Sequence, residues 1–211
     1  MTSVIDFYFD FISPFSYLAH HRVPELASRF GYAVHYHVAD LSELRRLAGN
    51  TGPRSTEQPL KLRYSRIDQK RWADRYGIAI RPPVGSHDSS WLNRGTFYAL
   101  DRGQVRDYLD NAWTKMRRDG RDIAEEAMRR DVALDLGWPA DEFIAFTRSE
   151  QSQERYRAST EKAHQRGVFG VPTMIVDDQM WWGNDRLDFL EEYLQAATAA
   201  DARRLEKSQI G

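Results

Sequence analysis

The chain has no cysteine among its 211 residues. That absence excludes structural disulfides, thiolate-bound zinc and disulfide exchange performed with the protein's own atoms. Excess charge of one sign is missing too. Thirty Lys and Arg stand against 31 Asp and Glu, a net charge of −1, which argues against a nucleic-acid partner. No apolar run approaches the ~20 residues that span a bilayer, and the apolar start, broken by Asp6 and Asp10, lacks the basic region of a secretory signal. A soluble cytoplasmic protein without a membrane partner is therefore expected. What is abundant is apolar mass: 41% hydrophobic and 12% aromatic residues, enough for one large domain or a domain with a sizeable insertion.

Residues 4–11 alternate Ile5, Phe7, Phe9 and Phe11 with Asp6, Tyr8 and Asp10, the pattern of a mostly buried strand. Ser13-Pro14 then reads as an N-cap with proline in the first turn, opening a helix that carries Tyr17, Leu18, Val23, Leu26 and Ala27 as far as Gly31. A second strand, 32–38, follows and should pair in parallel with the first. From about 41 to 165 the pattern is helical, with segments at 60–76, 93–116, 123–136 and 142–165 and an irregular loop at 81–88. The chain returns to strands at 174–176 and 180–182 around Asp177-Asp178, then to a helix over 186–197; the charged tail from Asp201 to Gly211 is expected to fray.

Three short stretches carry possible chemistry. Ser13 sits at a helix start, where free N–H groups and the helix dipole favour an anion, and its hydroxyl can donate to a thiolate. A Ser-Pro pair also serves as a plain cap. Val171-Pro172 has the form of a turn before a strand, in a cis state that would expose a main-chain edge to an extended peptide; a simple tight turn has the same residues. Trp182-Gly183-Asn184-Asp185 opens the last helix and offers N–H groups and a carboxylate to a γ-glutamyl group, although capping accounts for Asn184 and Asp185 as well. With no thiol of its own, the chain would borrow one, and glutathione is the expected cofactor. His35 and His37 share a strand face without an apparent third ligand, so no metal is expected.

Ser13-Pro14-Phe15-Ser16 stands where a thioredoxin-type protein carries Cys-x-x-Cys, and Val168 to Thr173 resembles that fold's Val-cis-Pro turn. Together with Asp6 to Phe11, Gly49-Asn50, Lys61 with Tyr64, Arg71-Trp72-Ala73 and Met180 to Leu187, these stretches resemble the 2-hydroxychromene-2-carboxylate isomerases. These are glutathione-dependent enzymes of bacterial naphthalene breakdown, related to kappa-class glutathione transferases and to the DsbA-like branch of the thioredoxin fold. The resemblance implies an α/β, thioredoxin-like domain from residues 1–40 and 166–211 with a large helical insertion domain at 41–165. It implies that Ser13 activates the glutathione thiol, and that Val171, Pro172 and Trp182, Gly183, Asn184 and Asp185 hold the tripeptide. Arg45, Asn50, Ser55, Thr56, Lys61 and His87 would contact a small aromatic keto-acid substrate, and the protein would be a homodimer. Two departures bear on the substrate: hydroxyls at Ser55 and Thr56 replace a polar-plus-basic pair, and Ser86-His87-Asp88 replaces an aromatic. A kappa-like transferase and a cysteine-free binding protein of the same fold are the alternatives.

Overall fold

The computed structural model describes residues 3–85 and 87–209, with side chains as far as residue 200. Ser86 of the 81–88 loop and residues 210–211 of the tail expected to fray therefore lie outside the described residues.

The first strand, β1 (Val4–Phe9), lies inside a four-stranded sheet. It pairs in parallel with β2 (Ala33–Val38) on one side and antiparallel with β3 (Thr173–Val176) on the other; β4 (Gln179–Trp182) forms the edge beyond β3. Between the strands run α1 (Pro14–His20), α2 (Val23–Phe30), α3 (Leu41–Leu47), α4 (Pro59–Tyr76), α5 (Ser90–Asp101), α6 (Val105–Trp113), α7 (Glu126–Asp135), α8 (Ala140–Arg148) and α9 (Glu150–Gln165), and α10 (Leu187–Gln209) closes the chain.

The alternation in β1 sorts its side chains between two apolar clusters. Ile5, Phe7 and Phe9 are fully buried and, with Phe11 beyond the strand, join a cluster containing Tyr108, Trp113 and Phe143 of α6 and α8. Burying each of those phenyl rings contributes about 1.5–3 kcal/mol. On the opposite face Tyr8 packs with Leu44, Ala163, Val168, Val171 and Ile175. Asp6 on that face takes a hydrogen bond from His37 Nε2 at 2.7 Å and an ion pair from Arg166 at 3.0 Å, so His37 is a polar residue on a partly covered strand.

Several helices are shorter than the periodicity suggests. The helix expected to run from Pro14 to Gly31 breaks at His21-Arg22, because Pro24 has no N–H to return and its ring would meet the His20 carbonyl. The 93–116 segment divides where Gly103 adopts a left-handed φ of 68°. The 142–165 segment divides at Ser149, which is extended and caps α9 by accepting from the Ser152 N–H. At the other extreme, α10 continues to Gln209, so the tail from Asp201 is helical as far as it is described rather than frayed.

Candidate active site

Ser13 sits at the turn where β1 hands over to α1, and it is only 4% exposed. Its Oγ accepts from the Ser16 N–H at 3.1 Å, so it does cap the helix, and donates to the Val171 carbonyl at 3.4 Å. The two stretches singled out at opposite ends of the sequence, 158 residues apart, thus meet through one hydroxyl. The Val171-Pro172 bond is cis. Val171 lies beyond the β1–β3 ladder, whose register stops at Tyr8 and Thr173. The Pro172 carbonyl takes the Gly183 N–H at 2.9 Å, which brings the Trp182–Asp185 stretch alongside the same turn.

Two glycines shape this side of the site. A Cβ on Gly170 would sit 2.8 Å from Trp182 Nε1, so only glycine lets that indole, itself against Phe169, lie over the turn. Gly183 has φ 109°, and a Cβ there would meet Asp185 Oδ1 at 2.4 Å. Asn184 is buried, and its Nδ2 reaches no hydrogen-bond partner among the described residues. The Tyr76 phenol, pushed up by burial, stands beside that amide. Asp185 is exposed and pairs with Arg186 at 3.0 Å. The buried Asn184 amide beside the Tyr76 phenol, a main-chain stretch outside the ladder and a serine hydroxyl form a fitting cradle for a short peptide with a thiol and a carboxylate.

The second wall belongs to α4. Phe15 of α1 and Ser55, Leu60, Lys61, Tyr64, Ser65 and Asp68 line a cleft of about 430 Å³. Leu60 is 83% exposed and Tyr64 60% exposed, so this wall offers apolar surface to whatever enters. Of the residues expected at the substrate, Ser55 and Lys61 line the cleft, and Thr56 shares the 3₁₀ turn of Ser55. Arg45 and Asn50 are joined to each other instead: the Arg45 guanidinium donates to Asn50 Oδ1 at 3.3 Å and to the Gly52 carbonyl at 3.1 Å. His87 is exposed in its loop and is not among the cleft-lining residues.

Sequence reasoning missed the residues that fix the turn itself. Asp10 is buried, and its Oδ1 takes the Ile12 N–H at 3.0 Å, Ser89 Oγ at 2.7 Å and Asn93 Nδ2 at 2.8 Å, while Oδ2 takes the Leu41 N–H at 3.0 Å. Burial nevertheless pushes its carboxyl above the usual range, against the pull of those bonds. Asn93 also accepts the Phe11 N–H at 3.2 Å and donates to the Tyr156 hydroxyl at 2.7 Å. The carbonyl of Phe11 takes the Trp113 indole N–H at 3.2 Å, and the Ile12 carbonyl takes Arg117. Asp10 was visible only as the polar partner in an alternating strand. Asn93 and Arg117 gave no local signal, since each acts on a loop some 80 to 106 residues away.

The DSBA-like thioredoxin domain family matches residues 4–195. A 2-hydroxychromene-2-carboxylate isomerase of Sphingobium xenophagum is 43% identical over 194 residues, covering 92% of this chain and 99% of that protein. One from Pseudomonas sp. (strain C18) is 39% identical over 92% of this chain and 91% of its own length. The solved structure of a 2-hydroxychromene-2-carboxylate isomerase, 38% identical, superposes with a TM-score of 0.90 over 95% of this chain and 98% of the other. With a serine in the thioredoxin turn, a cis proline facing it and these relatives along nearly its whole length, the chain belongs to the DSBA-like thioredoxin family and, within it, to the family of the 2-hydroxychromene-2-carboxylate isomerases.

Proposed function

We propose that the protein is a glutathione-dependent isomerase that interconverts 2-hydroxychromene-2-carboxylate and trans-o-hydroxybenzylidenepyruvate in the breakdown of naphthalene-type aromatics. The observation that carries the reading is the pairing of the buried Ser13 hydroxyl with the Val171 carbonyl next to Phe15 and its cleft, in a chain with no thiol of its own. Glutathione, when bound, supplies a thiolate able to add reversibly to a conjugated double bond and so free it to rotate.

The chain's own residues have four tasks. Ser13 turns its proton from the Val171 carbonyl, a bond long enough at 3.4 Å to be given up cheaply, toward the thiolate. The Ser16 N–H that Ser13 accepts polarises the hydroxyl and makes it a better donor. Val171 and Pro172 offer main chain for strand-like pairing, and Asn184 offers its buried amide to the γ-glutamyl carboxylate, with Asp185 answering the ammonium and Trp182 and Gly183 framing the contact. Lys61 and Ser55 receive the substrate carboxylate while Phe15, Leu60 and Tyr64 cover its ring. Arg45, Asn50, Thr56 and His87 belong to the outer substrate contacts in this reading. The same reading makes the protein a cytoplasmic homodimer.

Turnover of 2-hydroxychromene-2-carboxylate by the purified protein, with and without glutathione, tests it. Conversion that needs glutathione and returns it unchanged is expected. Conversion without glutathione would overturn the cofactor, and its consumption would turn the reading toward a conjugating transferase.

A further inference from the structure

Among the described residues Arg117 is the largest buried charged side chain: it is 2% exposed, in a π-helical turn, Thr114–Arg118, that extends α6. Its guanidinium donates to the carbonyls of Ile12 and, at 3.5 Å, Phe11, the two residues before Ser13. Its Nε has no partner, and among the described residues no carboxylate comes within ion-pair distance. A cation withdrawn from water costs several kcal/mol, and buried charges in folded proteins are ordinarily compensated by an anion. The nearest acidic groups are poor candidates. Asp10 spends both oxygens on Ile12, Leu41, Ser89 and Asn93. Tyr17 donates its hydroxyl to the Ala79 carbonyl at 2.9 Å, and burial holds its phenol in the protonated form. Two neutral carbonyls therefore hold a full positive charge against the loop that presents Ser13.

From this geometry we infer that the anion completing Arg117 is the thiolate bound at Ser13, and that Arg117 is a positioning residue. It fixes the Phe11–Ile12 main chain and supplies the positive field that ionises the thiol. The inference rests on the glutathione reading above. It also answers a deficit in the fold: α1 ends after seven residues, too short for its dipole alone to carry that work. Desolvation lowers the Arg117 pKa only to about 10, so the charge persists across the working range. The charged groups around it are Asp10 at the end of β1, Tyr17 on α1, and Arg118 and Asp119, which pair with each other at 2.9 Å on the outer side of the turn.

The test is a pH titration of glutathione bound to the protein, followed by the ultraviolet absorbance of the thiolate, in wild type, Arg117→Gln, Arg117→Met and Arg117→Lys, with melting curves confirming that each is folded. The expected result is a bound-thiol pKa about one unit higher in the two neutral variants, and within about 0.3 unit of wild type in Arg117→Lys, which keeps the charge but not the fork. A thiol pKa unchanged in the neutral variants, whatever their stability, would overturn the inference and leave the glutathione reading standing. Should neither neutral variant fold, a full-unit rise in Arg117→Lys would overturn it instead. Absence of any bound-thiolate signal in wild type would overturn both.

Discussion

The two sides of the candidate site, the turn that presents Ser13 and the α4 face of the cleft beyond Phe15, are built on opposite principles. The β1–α1 turn is buried and pinned at successive polar groups: Phe11 N–H by Asn93, Phe11 C=O by Trp113 and Arg117, Ile12 N–H by Asp10, Ile12 C=O by Arg117, and Ser13 N–H by the Asp10 carbonyl at 3.0 Å. The α4 wall, by contrast, presents Leu60, Lys61 and Tyr64 to solvent. One wall holds a hydroxyl to a fixed geometry, as stabilisation of a developing charge requires. The other offers adaptable apolar area, as capture of a planar aromatic acid requires. On the proposed function, chemistry and selection fall to different elements, and mutations on the two sides should fail in different ways.

The sharpest way to break that division is Ser13→Ala. Removing one donor to a developing anion costs about 10²–10³ in rate. The variant should therefore lose kcat in that range while its keto-acid KM stays near the wild-type value, as steady-state kinetics would show. Asn93→Ala comes next. It withdraws partners from Asp10, the Phe11 N–H and the Tyr156 hydroxyl at once. A stability loss of about 2–3 kcal/mol is expected, read by urea unfolding. Lys61→Met, on the other wall, should raise the keto-acid KM about tenfold, equivalent to about 1.4 kcal/mol, with glutathione affinity by calorimetry unchanged.

A pH experiment sharpens the comparison further. Burial raises the Asp10 carboxyl above its unfolded value near 3.8, so the folded state binds more protons in the window between the two. Asp10 therefore favours folding below that window and loses its contribution as pH rises through it. The stability of wild type relative to Asp10→Asn should fall across that interval; a constant difference would count against the raised carboxyl. The smallest effect belongs to Leu60→Ser. At 83% exposure it should change stability by no more than about 0.5 kcal/mol, while lengthening the approach to saturation with substrate a few-fold.

What the sequence revealed follows the same division. The Ser13 turn and the Val171-Pro172 turn rest on short-range rules of proline and hydroxyl side chains and stand out locally, whereas Asn184 and Asp185, expected as caps of the final helix, lie instead in a 3₁₀ turn, Asn184–Arg186, that has no side-chain cap. The parallel β1–β2 pair and the hairpin of β3 with β4 follow from the same local signals, whereas the antiparallel seating of β3 beside β1 is a tertiary pairing across the chain. The supports of the turn were hidden for the opposite reason. Asn93 and Arg117 look like ordinary polar residues on helical segments, and only the tertiary packing of α5 and α6 against β1 aims them at Phe11 and Ile12. The cleft wall was half legible. Lys61 and Tyr64 fall in a stretch that resembles the isomerases, whereas Asp68, one helical turn further on, joins the lining only because α4 packs beside α1.

The central claim is that a serine on a pinned turn ionises a borrowed thiol. It is tested most directly by the pH dependence of kcat/KM for 2-hydroxychromene-2-carboxylate with saturating glutathione, in wild type and Ser13→Ala. The account predicts an acid limb that moves up by about one pH unit or more in Ser13→Ala, with the lost activity partly regained at alkaline pH. Coincident acid limbs in the two proteins would contradict it.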